Sequence, residues 1–314
     1  MKEDSDLGNV RDACLVCASS MSAALYPDSR DYITGDRFAV LQCPQCSTAW
    51  TSPVPSNLEP YYPRTYRRYN AIIISILKFL YRQRVGRWAR RLPKAGSALE
   101  LGCGDGFMLN ALRSLGWTVA GTERTEDMAR FAREQFGLTV YVESQQPIPA
   151  EARYDLVILF QVLEHLHNPV EELTRAASLL ASDGAVIVAV PNFGSWQSRF
   201  AKSGWFHLDV PRHLVHLSPE SLAQAASKAG LNVSQIDFLS FEHDPYGWVQ
   251  SILNRVFGNK NRLTKLLMRS VPWRVSDGVT LLLAALLTPL AVLLSLLSWS
   301  AQRGAIMEAT LVRK

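Results

Sequence analysis

Residues 97–112 read SALELGCGDGFMLNAL and decide the fold. An apolar run ends in three glycines, Gly102, Gly104 and Gly106, and a second apolar run follows them. Glycine allows backbone angles that other residues resist, and its missing side chain lets backbone N–H groups and a helix N-terminus approach a ligand closely. The same stretch also fits a simple tight turn between a strand and a helix.

The sequence around this turn alternates between two kinds of segment. Short runs rich in Val, Ile and Leu are separated by helix-like stretches, which is typical of βαβ units in a parallel sheet. The runs predict strands at 97–102, 117–122, 138–142, 154–161, 184–190 and 232–240. Capping residues, prolines and glycines bound predicted helices at 126–136, 169–181 and 219–229. The predicted fold class is therefore a doubly wound α/β sheet.

An acidic residue follows the glycine turn at an informative distance. Glu123 lies 21 residues after Gly102, at the end of the next predicted strand. An acid at this place can accept hydrogen bonds from ribose hydroxyls. The glycine spacing is GxGxG, whereas dinucleotide-binding enzymes show GxGxxG and need room for a pyrophosphate. Turn and acid together predict a site for a ribose-containing ligand.

The stretch Glu100-Leu101-Gly102-Cys103-Gly104-Asp105-Gly106 resembles motif I of the class I S-adenosylmethionine (SAM)-dependent methyltransferases. YDLVILFQVLEHLHNPVEEL at 154–173 resembles the fourth-strand motif of that superfamily, and the similarity continues through AVIVAVPN at 185–192. The resemblance covers residues 97 to about 240. It implies a Rossmann-like methyltransferase sheet with SAM as the cofactor.

The resemblance also implies which residues bind the donor. In that family the acid before the glycines and the turn hold the methionine part, the acid of the second strand binds the ribose, and a residue after the third strand contacts the adenine. The corresponding residues here are Glu100, Gly102, Gly104, Glu123, and Glu143 or Ser144, with Cys103, Gly106 and Phe160 completing the expected donor site. Glu143 and Ser144 stand where the family usually has Asp.

Candidate catalytic residues follow the predicted fourth and fifth strands. Methyl transfer from a sulfonium is an in-line displacement that needs a base only when the acceptor must lose a proton. The candidates are His165, His213 and His216, with Glu164 and Asp209 as carboxylates. The Glu164-His165 pair resembles one in ubiquinone-type O-methyltransferases. The alternative is that His165 packs beneath the next helix and that the loop histidines are structural.

Two CxxC pairs predict a zinc-binding module near the N-terminus. Cys14 and Cys17 are separated by 25 residues from Cys43 and Cys46, a spacing that can place four thiolates around one structural Zn²⁺. Residues 11–50 have too few aliphatic side chains for a core of their own, so the metal would supply the missing stability. Similar zinc ribbons occur in some bacterial sugar methyltransferases. The spacing of the histidines fits no standard zinc pattern, and no metal is expected there.

The chain divides into five predicted parts. They are a zinc-ribbon module at 1–55, an aromatic and basic connector with a helix at 56–95, the methyltransferase core at 96–243, an apolar helical insertion at 244–303 and a final strand at 304–314. The connector contains Tyr61, Tyr62, Tyr66 and Tyr69. These aromatic side chains suit either an acceptor pocket or the packing of the ribbon onto the core.

The insertion predicts attachment to a membrane. Residues 278–302 contain no charged side chain and are long enough to cross a bilayer, although a buried helix pair fits the same composition. Pro289 predicts a break into two apolar halves that enter and leave one leaflet as a hairpin. The basic flanks favour an anionic surface: Lys260, Arg262, Lys265, Arg269, Arg274 and Arg303.

The composition and the first residues of the chain also predict its location and its partners. The polar, acidic first residues lack the pattern of a secretory leader, so we expect the cytoplasmic face of the membrane. The net charge of +5 is modest, and no nucleic-acid partner is expected. The predicted function is O-methylation of a glycan, a lipid-linked saccharide or a quinone-like lipid. The alternatives are a C-methyltransferase acting on a nucleotide-linked sugar and a non-catalytic, zinc-dependent membrane adaptor.

Overall fold

The computed structural model describes residues 13–62, 71–91 and 95–314, and in these ranges it contains a seven-stranded sheet. Its strands, in spatial order, are β10 (Leu231–Asp237), β11 (Ile306–Arg313), β8 (Leu180–Pro191), β7 (Tyr154–Phe160), β4 (Ser97–Glu100), β5 (Thr118–Glu123) and β6 (Thr139–Val142). Strands β4 to β8 run parallel, and β11 lies antiparallel between β8 and β10. The predicted α/β sheet is confirmed as a mixed sheet.

Six helices precede the insertion within the described residues. They are α1 (Ala71–Arg91), α2 (Phe107–Arg113), α3 (Glu126–Phe136), α4 (Pro169–Ser178), α5 (Trp196–Ala201) and α6 (Pro219–Lys228). Asn168 caps α4 by accepting the N–H of Glu171 at 3.2 Å, and Ser218 caps α6 in a capping box. Helix α4 ends before the predicted residue 181 because β8 begins at Leu180, which pairs with Tyr154.

A second, smaller sheet joins the N-terminal module to the core. Its strands β1 (Ala23–Arg30), β2 (Arg37–Gln42), β3 (Ala49–Ser52) and β9 (Val215–His216) lie in that order. In the pairing of β3 with β9, Trp50 lies opposite Val215, and the indole is buried in the same apolar cluster as Leu99 of β4. The module therefore shares the core of the main domain. This shared core stabilises the module in addition to the predicted metal.

The insertion before β11 forms three helices, α7 (Asp244–Phe257), α8 (Arg262–Leu267) and α9 (Ser276–Ser300). Helix α9 continues through Pro289, so the predicted hairpin is wrong. Pro289 is exposed and removes one backbone donor there. On the opposite side, Leu283, Leu287, Ala291 and Leu294 follow helical spacing and pack against Trp248, Val249, Ile252 and Leu253 of α7. This packing holds the helix in one piece.

Side-chain contacts connect both ends of α9 to neighbouring helices. Near its start, Asp277 forms an ion pair with Arg262 of α8 at 2.7 Å. Near its end, the indole of Trp299 donates to Asp244, the first residue of α7, at 2.7 Å. The chain then enters the main sheet, where Ile306 of β11 pairs with Pro191 of β8. Helix α9 thus lies alongside α7 and returns directly to the core.

Candidate active site

The glycine turn brings backbone N–H groups to the carboxyl edge of the sheet. Gly102 and Gly104 adopt φ angles of 72° and 54°, in the left-handed region that favours glycine. A Cβ atom at Gly102 would lie 2.8 Å from the side chain of Val162. Close approach and positive φ together explain why glycine is required at this position.

Glu123 is fixed by the same turn. Its carboxylate, at the end of β5, accepts the N–H of Gly104 at 3.0 Å and the N–H of Thr125 at 3.1 Å. A carboxylate has about four lone-pair sites, so acceptor capacity is left for ribose hydroxyls. This geometry fits the ribose-binding role that the spacing predicts.

Glu100 is a buried carboxyl at the end of β4. Burial is the main cause that raises its pKa well above the ordinary value, and the nearby Asp105 and Glu123 raise it further. Its Oε2 atom is buried and has no hydrogen-bond partner among the described residues. A cationic group beside it would favour the ionised form. The methionine part of SAM carries such charges, and Glu100 therefore fits this donor.

The residues expected near the adenine follow the next strand, β6. Glu143 follows β6 and accepts hydrogen bonds from Thr122 at 3.2 Å and Arg175 at 3.1 Å. Ser144 lies beside it in an exposed turn. Both remain candidates for the adenine contact because the carboxyl ends of β5 and β6 meet at this edge of the sheet.

Three other residues of the expected donor site pack against neighbouring strands and helices. The side chain of Cys103 is buried beneath β5 in the cluster that contains Leu109. A Cβ atom at Gly106 would lie 2.6 Å from Leu138, so this glycine permits close packing of the turn against α3 and β6. Phe160 ends β7 and makes edge contacts with the rings of Tyr81 and Trp88 on α1. These three residues chiefly support the turn and the edge of the sheet.

His165 and His213 meet beyond the ends of β7 and β8. Their rings are in edge contact, with centroids 4.7 Å apart. The Nδ1 atom of His165 lies 2.9 Å from the carbonyl oxygen of Arg212, and that of His213 lies 2.8 Å from the carbonyl oxygen of His207. A carbonyl can only accept, so each Nδ1 carries the hydrogen. In the neutral ring, the Nε2 atom therefore keeps its lone pair.

Burial distinguishes the two histidines. His165 is half-buried, whereas His213 is buried. Burial lowers the pKa of His213 from its usual value, and the nearby Asp209 only partly opposes this shift. His213 is therefore neutral at neutral pH, and His165 is the more accessible of the pair. Glu164, His165 and His213 also bring one potential metal ligand each to within 4.8 Å of one another.

An ion-pair network links this pair to the N-terminal module. Arg212 is fully buried and binds Asp209 at 2.6 Å and Asp31 at 2.8 Å. Burial alone would raise the pKa of Asp209, but Arg212 and His213 hold it below its ordinary value. Asp209 lies 4.0 Å from Nε2 of His213. The module thus supports the histidine pair through one arginine.

His216 and Tyr61 lie in the interface between the module and the core. His216 is buried on β9, where its Nε2 lies 3.1 Å from the hydroxyl of Thr51, and burial lowers its pKa to about 3. Tyr61 binds Asp36 through its hydroxyl at 2.9 Å, and its carbonyl oxygen accepts from Arg212. These positions favour packing roles for both residues. Tyr66 and Tyr69 lie outside the described residues.

Sequence reasoning missed several polar residues near this edge. His207 is buried, and its Nε2 has no hydrogen-bond partner in the described structure. His243, just before α7, has its ring 6.3 Å from that of His207 and 6.2 Å from that of Phe160. Arg84 of α1 is buried between Glu242 and Glu308. His207 lies on the same loop as His213, whereas His243 and Arg84 belong to no local motif, because strands and helices far apart in sequence bring them together.

The four cysteines of the module converge on one point. The Sγ atoms of Cys14 and Cys46 are 3.3 Å apart, those of Cys17 and Cys43 are 3.5 Å apart, and all four lie within 4.8 Å of one another. Tetrahedral zinc with bonds of about 2.3 Å needs sulfurs about 3.8 Å apart. Each pair also forms the same kind of turn, in which Ala18 or Ser47 adopts a positive φ. The donor set fits a zinc ion.

Comparison with known proteins agrees with this geometry. A family model described as a methyltransferase domain matches residues 73–236. A ubiquinone biosynthesis O-methyltransferase of Ruegeria sp. strain TM1040 is 30% identical over 196 residues, which cover 57% of this chain and 78% of that protein. The protein of the same name from Ruegeria pomeroyi is 29% identical over 196 residues, with the same two coverages.

A solved SAM-dependent methyltransferase from Archaeoglobus fulgidus also aligns with this chain. It is 20% identical, the alignment covers 76% of this chain and 94% of that chain, and the TM-score is 0.47. The family match spans more than half of the 314 residues and includes the glycine turn and Glu123. The chain therefore belongs to the methyltransferase family and is a SAM-dependent methyltransferase.

Proposed function

We propose that this enzyme transfers a methyl group from SAM to an oxygen atom of a lipid acceptor, with a quinone-like lipid favoured over a lipid-linked saccharide or glycan. The observation that carries the proposal is the His165–His213 pair, whose Nε2 atoms keep their lone pairs beyond the strand ends at the edge where the donor turn lies. A base is required for an oxygen acceptor that must lose a proton. The names of the related O-methyltransferases support the same acceptor class.

In this mechanism His165 is the general base. It is the more accessible of the two histidines, and the hydrogen bond to the carbonyl of Arg212 orients its ring. Its Nε2 takes the proton from the acceptor hydroxyl while the new C–O bond forms. The charge of Asp209 stabilises the resulting imidazolium. SAM supplies a methyl group on a sulfonium, and the S–CH₃ bond breaks to leave a neutral thioether.

The other residues hold the reactants. Gly102 and Gly104 present the backbone of the turn, Glu123 binds the ribose hydroxyls, and Glu100 faces the cationic end of the donor. Holding donor and acceptor in contact accounts for most of the rate enhancement in such a displacement. Because His213 stays neutral, the proton that leaves the acceptor is carried by His165.

The acceptor class is tested with the purified enzyme and methyl-labelled SAM. Membrane lipids, glycans and nucleotide-linked sugars are extracted separately and offered as acceptors. We expect label in the membrane-lipid fraction and none when Gly102 is replaced. Label confined to the nucleotide-sugar fraction would instead support the alternative C-methyltransferase, and label confined to glycans would move the acceptor to a soluble saccharide.

We further propose that Cys14, Cys17, Cys43 and Cys46 hold one structural zinc ion. With four thiolate ligands, the ion has no open position for substrate. It would stabilise the small sheet, and through Asp31 and Arg212 it would keep the histidine pair in place. The predicted role of the module is thus to shape the acceptor side.

Cys14→Ser should therefore remove the zinc and reduce turnover more than donor binding. Metal analysis of the purified protein should give one zinc per chain for the wild type and for Cys103→Ser, because Cys103 lies in a different cluster. The Cys14→Ser variant should contain none and should unfold at lower temperature. A wild-type protein without zinc after purification without chelator would contradict the site. Full retention of zinc by Cys14→Ser would contradict the assignment of Cys14 as a ligand.

A further inference from the structure

The outer face of α9 is apolar and uncovered. Leu282, Leu286 and Leu293 are 60%, 67% and 52% exposed, and their spacing places them on one side of the helix. Only 22% of the most apolar 18-residue window of α9 is buried in the protein. It is the one helix in the described ranges that is long and apolar enough to cross a membrane. Soluble monomers rarely expose so large an apolar patch.

The apolar face continues beyond the start of α9. Leu281 borders the same hollow as Leu267 and Trp273, and the latter two are 40% and 61% exposed. Val275, in the connection to α9, is 94% exposed. A tryptophan at the margin of an apolar surface suits the boundary between hydrocarbon and lipid headgroups. We call this surface, from Leu267 to Leu297, the apolar face.

Positive charge surrounds the apolar face. Residues 244–303 contain seven basic and two acidic side chains, which gives the insertion a net charge of +5, equal to that of the whole chain. The remainder of the chain therefore has no net charge. Both acids are buried: Asp277 is paired with Arg262, and Asp244 accepts from the indole of Trp299. Lys260, Arg269 and Arg274 are exposed at the N-terminal end of α9.

We infer that this enzyme binds the surface of an anionic bilayer through α9, which lies in the membrane plane as a monotopic anchor. Apolar residues enter the interfacial layer, and the basic residues contact lipid phosphates. A crossing helix would have to leave α7 and break the Asp244–Trp299 and Arg262–Asp277 contacts at its two ends. Because β11 follows within a few residues, one crossing would also separate the last strand from the sheet.

Charge favours a lipid surface over a second copy of this chain. Two copies that met through the apolar face would bring their basic residues close together, and like charges at an interface are costly. Anionic headgroups compensate the same charges. A bilayer therefore matches both the apolar face and the basic residues around it.

The anchor lies next to the edge of the sheet that holds the candidate active site. Helix α7, against which α9 packs, begins immediately after His243. The ring of His243 lies 6.2 Å from that of Phe160, at the carboxyl end of β7. The anchor is thus built onto the edge of the sheet that holds the donor turn and the histidine pair. This arrangement presents that edge to a membrane-borne acceptor; the membrane binding itself does not depend on which atom is methylated.

Flotation of the full-length protein with vesicles tests the anchor. We expect strong binding to vesicles that contain phosphatidylglycerol and weaker binding to phosphatidylcholine alone. Each cation near an anionic surface contributes about fivefold to binding, so Lys260→Glu/Arg269→Glu/Arg274→Glu should reduce binding at least about 100-fold. The matched control is Arg113→Glu/Arg153→Glu/Lys228→Glu, which makes the same change in net charge at exposed positions outside the insertion.

A second set of variants tests the apolar contact. Leu282→Glu/Leu286→Glu/Leu293→Glu should abolish flotation with both vesicle types, whereas Leu115→Glu/Phe131→Glu, at exposed apolar positions outside the insertion, should bind as the wild type does. Circular dichroism monitors the fold of each variant. Equal flotation of the leucine variant and the wild type would overturn the proposal. So would a detergent-free dimer that the leucine variant dissociates, because the face would then belong to a second copy.

Sidedness separates the in-plane helix from a crossing one. Tags at the two termini should both be cleaved by protease added to inside-out membrane vesicles, and both should be protected in right-side-out vesicles. Tags on opposite sides would show that α9 crosses the bilayer and would overturn the monotopic arrangement. This readout and flotation are independent of turnover, so their failure is distinguishable from failure of the proposed O-methylation.

Discussion

Gly102→Arg should reduce the affinity for SAM by at least about 100-fold, which corresponds to about 2.7 kcal/mol. The first cause is steric, since even a Cβ atom would lie 2.8 Å from Val162, and an arginine side chain must occupy the turn itself. The second is conformational, because the φ angle of 72° is unfavourable for any residue with a side chain. Isothermal titration calorimetry with SAM measures the change directly.

Gly230→Arg is the matched control for this variant. Its φ angle is 77°, but a Cβ atom added there would meet no other atom within 4 Å, so the substitution introduces similar backbone strain at an open site. Its SAM affinity should equal that of the wild type. Glu123→Ala should also weaken SAM binding, by about 10-fold or more, because charge-assisted hydrogen bonds contribute about 1.5–3 kcal/mol each. Unchanged affinity in both Gly102→Arg and Glu123→Ala would refute the assigned donor site.

His165→Ala should reduce turnover by about 10²–10⁴ and leave SAM binding unchanged. The side chain supplies the base for the acceptor but contributes nothing to the glycine turn. Initial rates of the wild type and the variant measured with saturating donor provide the test.

His167→Ala is the control for loop stability, because His167 is exposed two residues further along the same loop. It should retain the wild-type rate. His213→Ala should reduce turnover less than His165→Ala, since it removes a neighbour of the base rather than the base. Near-normal rates for both His165→Ala and His213→Ala would assign the pair to structure and leave the acceptor without a base from this chain.

The sequence predicts those features that depend on short-range pattern. The turn at Gly102, Gly104 and Gly106 is visible because glycine, strand and helix are adjacent in the chain. The two CxxC pairs are visible because each is a local motif, and the four thiols do converge in the structure. Central strands such as β7 are continuous apolar runs, as expected for strands buried on both faces.

Features that depend on distant contacts could not be predicted in this way. The two-residue strand β9 has no periodicity, and only its pairing with β3 defines it. The link from Asp31 through Arg212 to Asp209 joins residues up to 181 positions apart, since 212 − 31 = 181. Pro289 is a reliable signal for a break in an isolated helix, but packing on α7 keeps α9 continuous. In each of these features, contacts between residues far apart in the sequence determine the structure.

The central claim is that this chain moves a methyl group from SAM to an oxygen atom of a membrane lipid. Nuclear magnetic resonance of the product formed from ¹³C-methyl SAM and membrane lipid extract tests it most directly, because the chemical shift of the labelled carbon identifies the atom to which it is bound. We expect a methyl ether in the lipid fraction, formed by the wild type and formed about 10²–10⁴ times more slowly by His165→Ala. A labelled methyl group on carbon or nitrogen, or no labelled lipid from an enzyme that binds SAM, would contradict it.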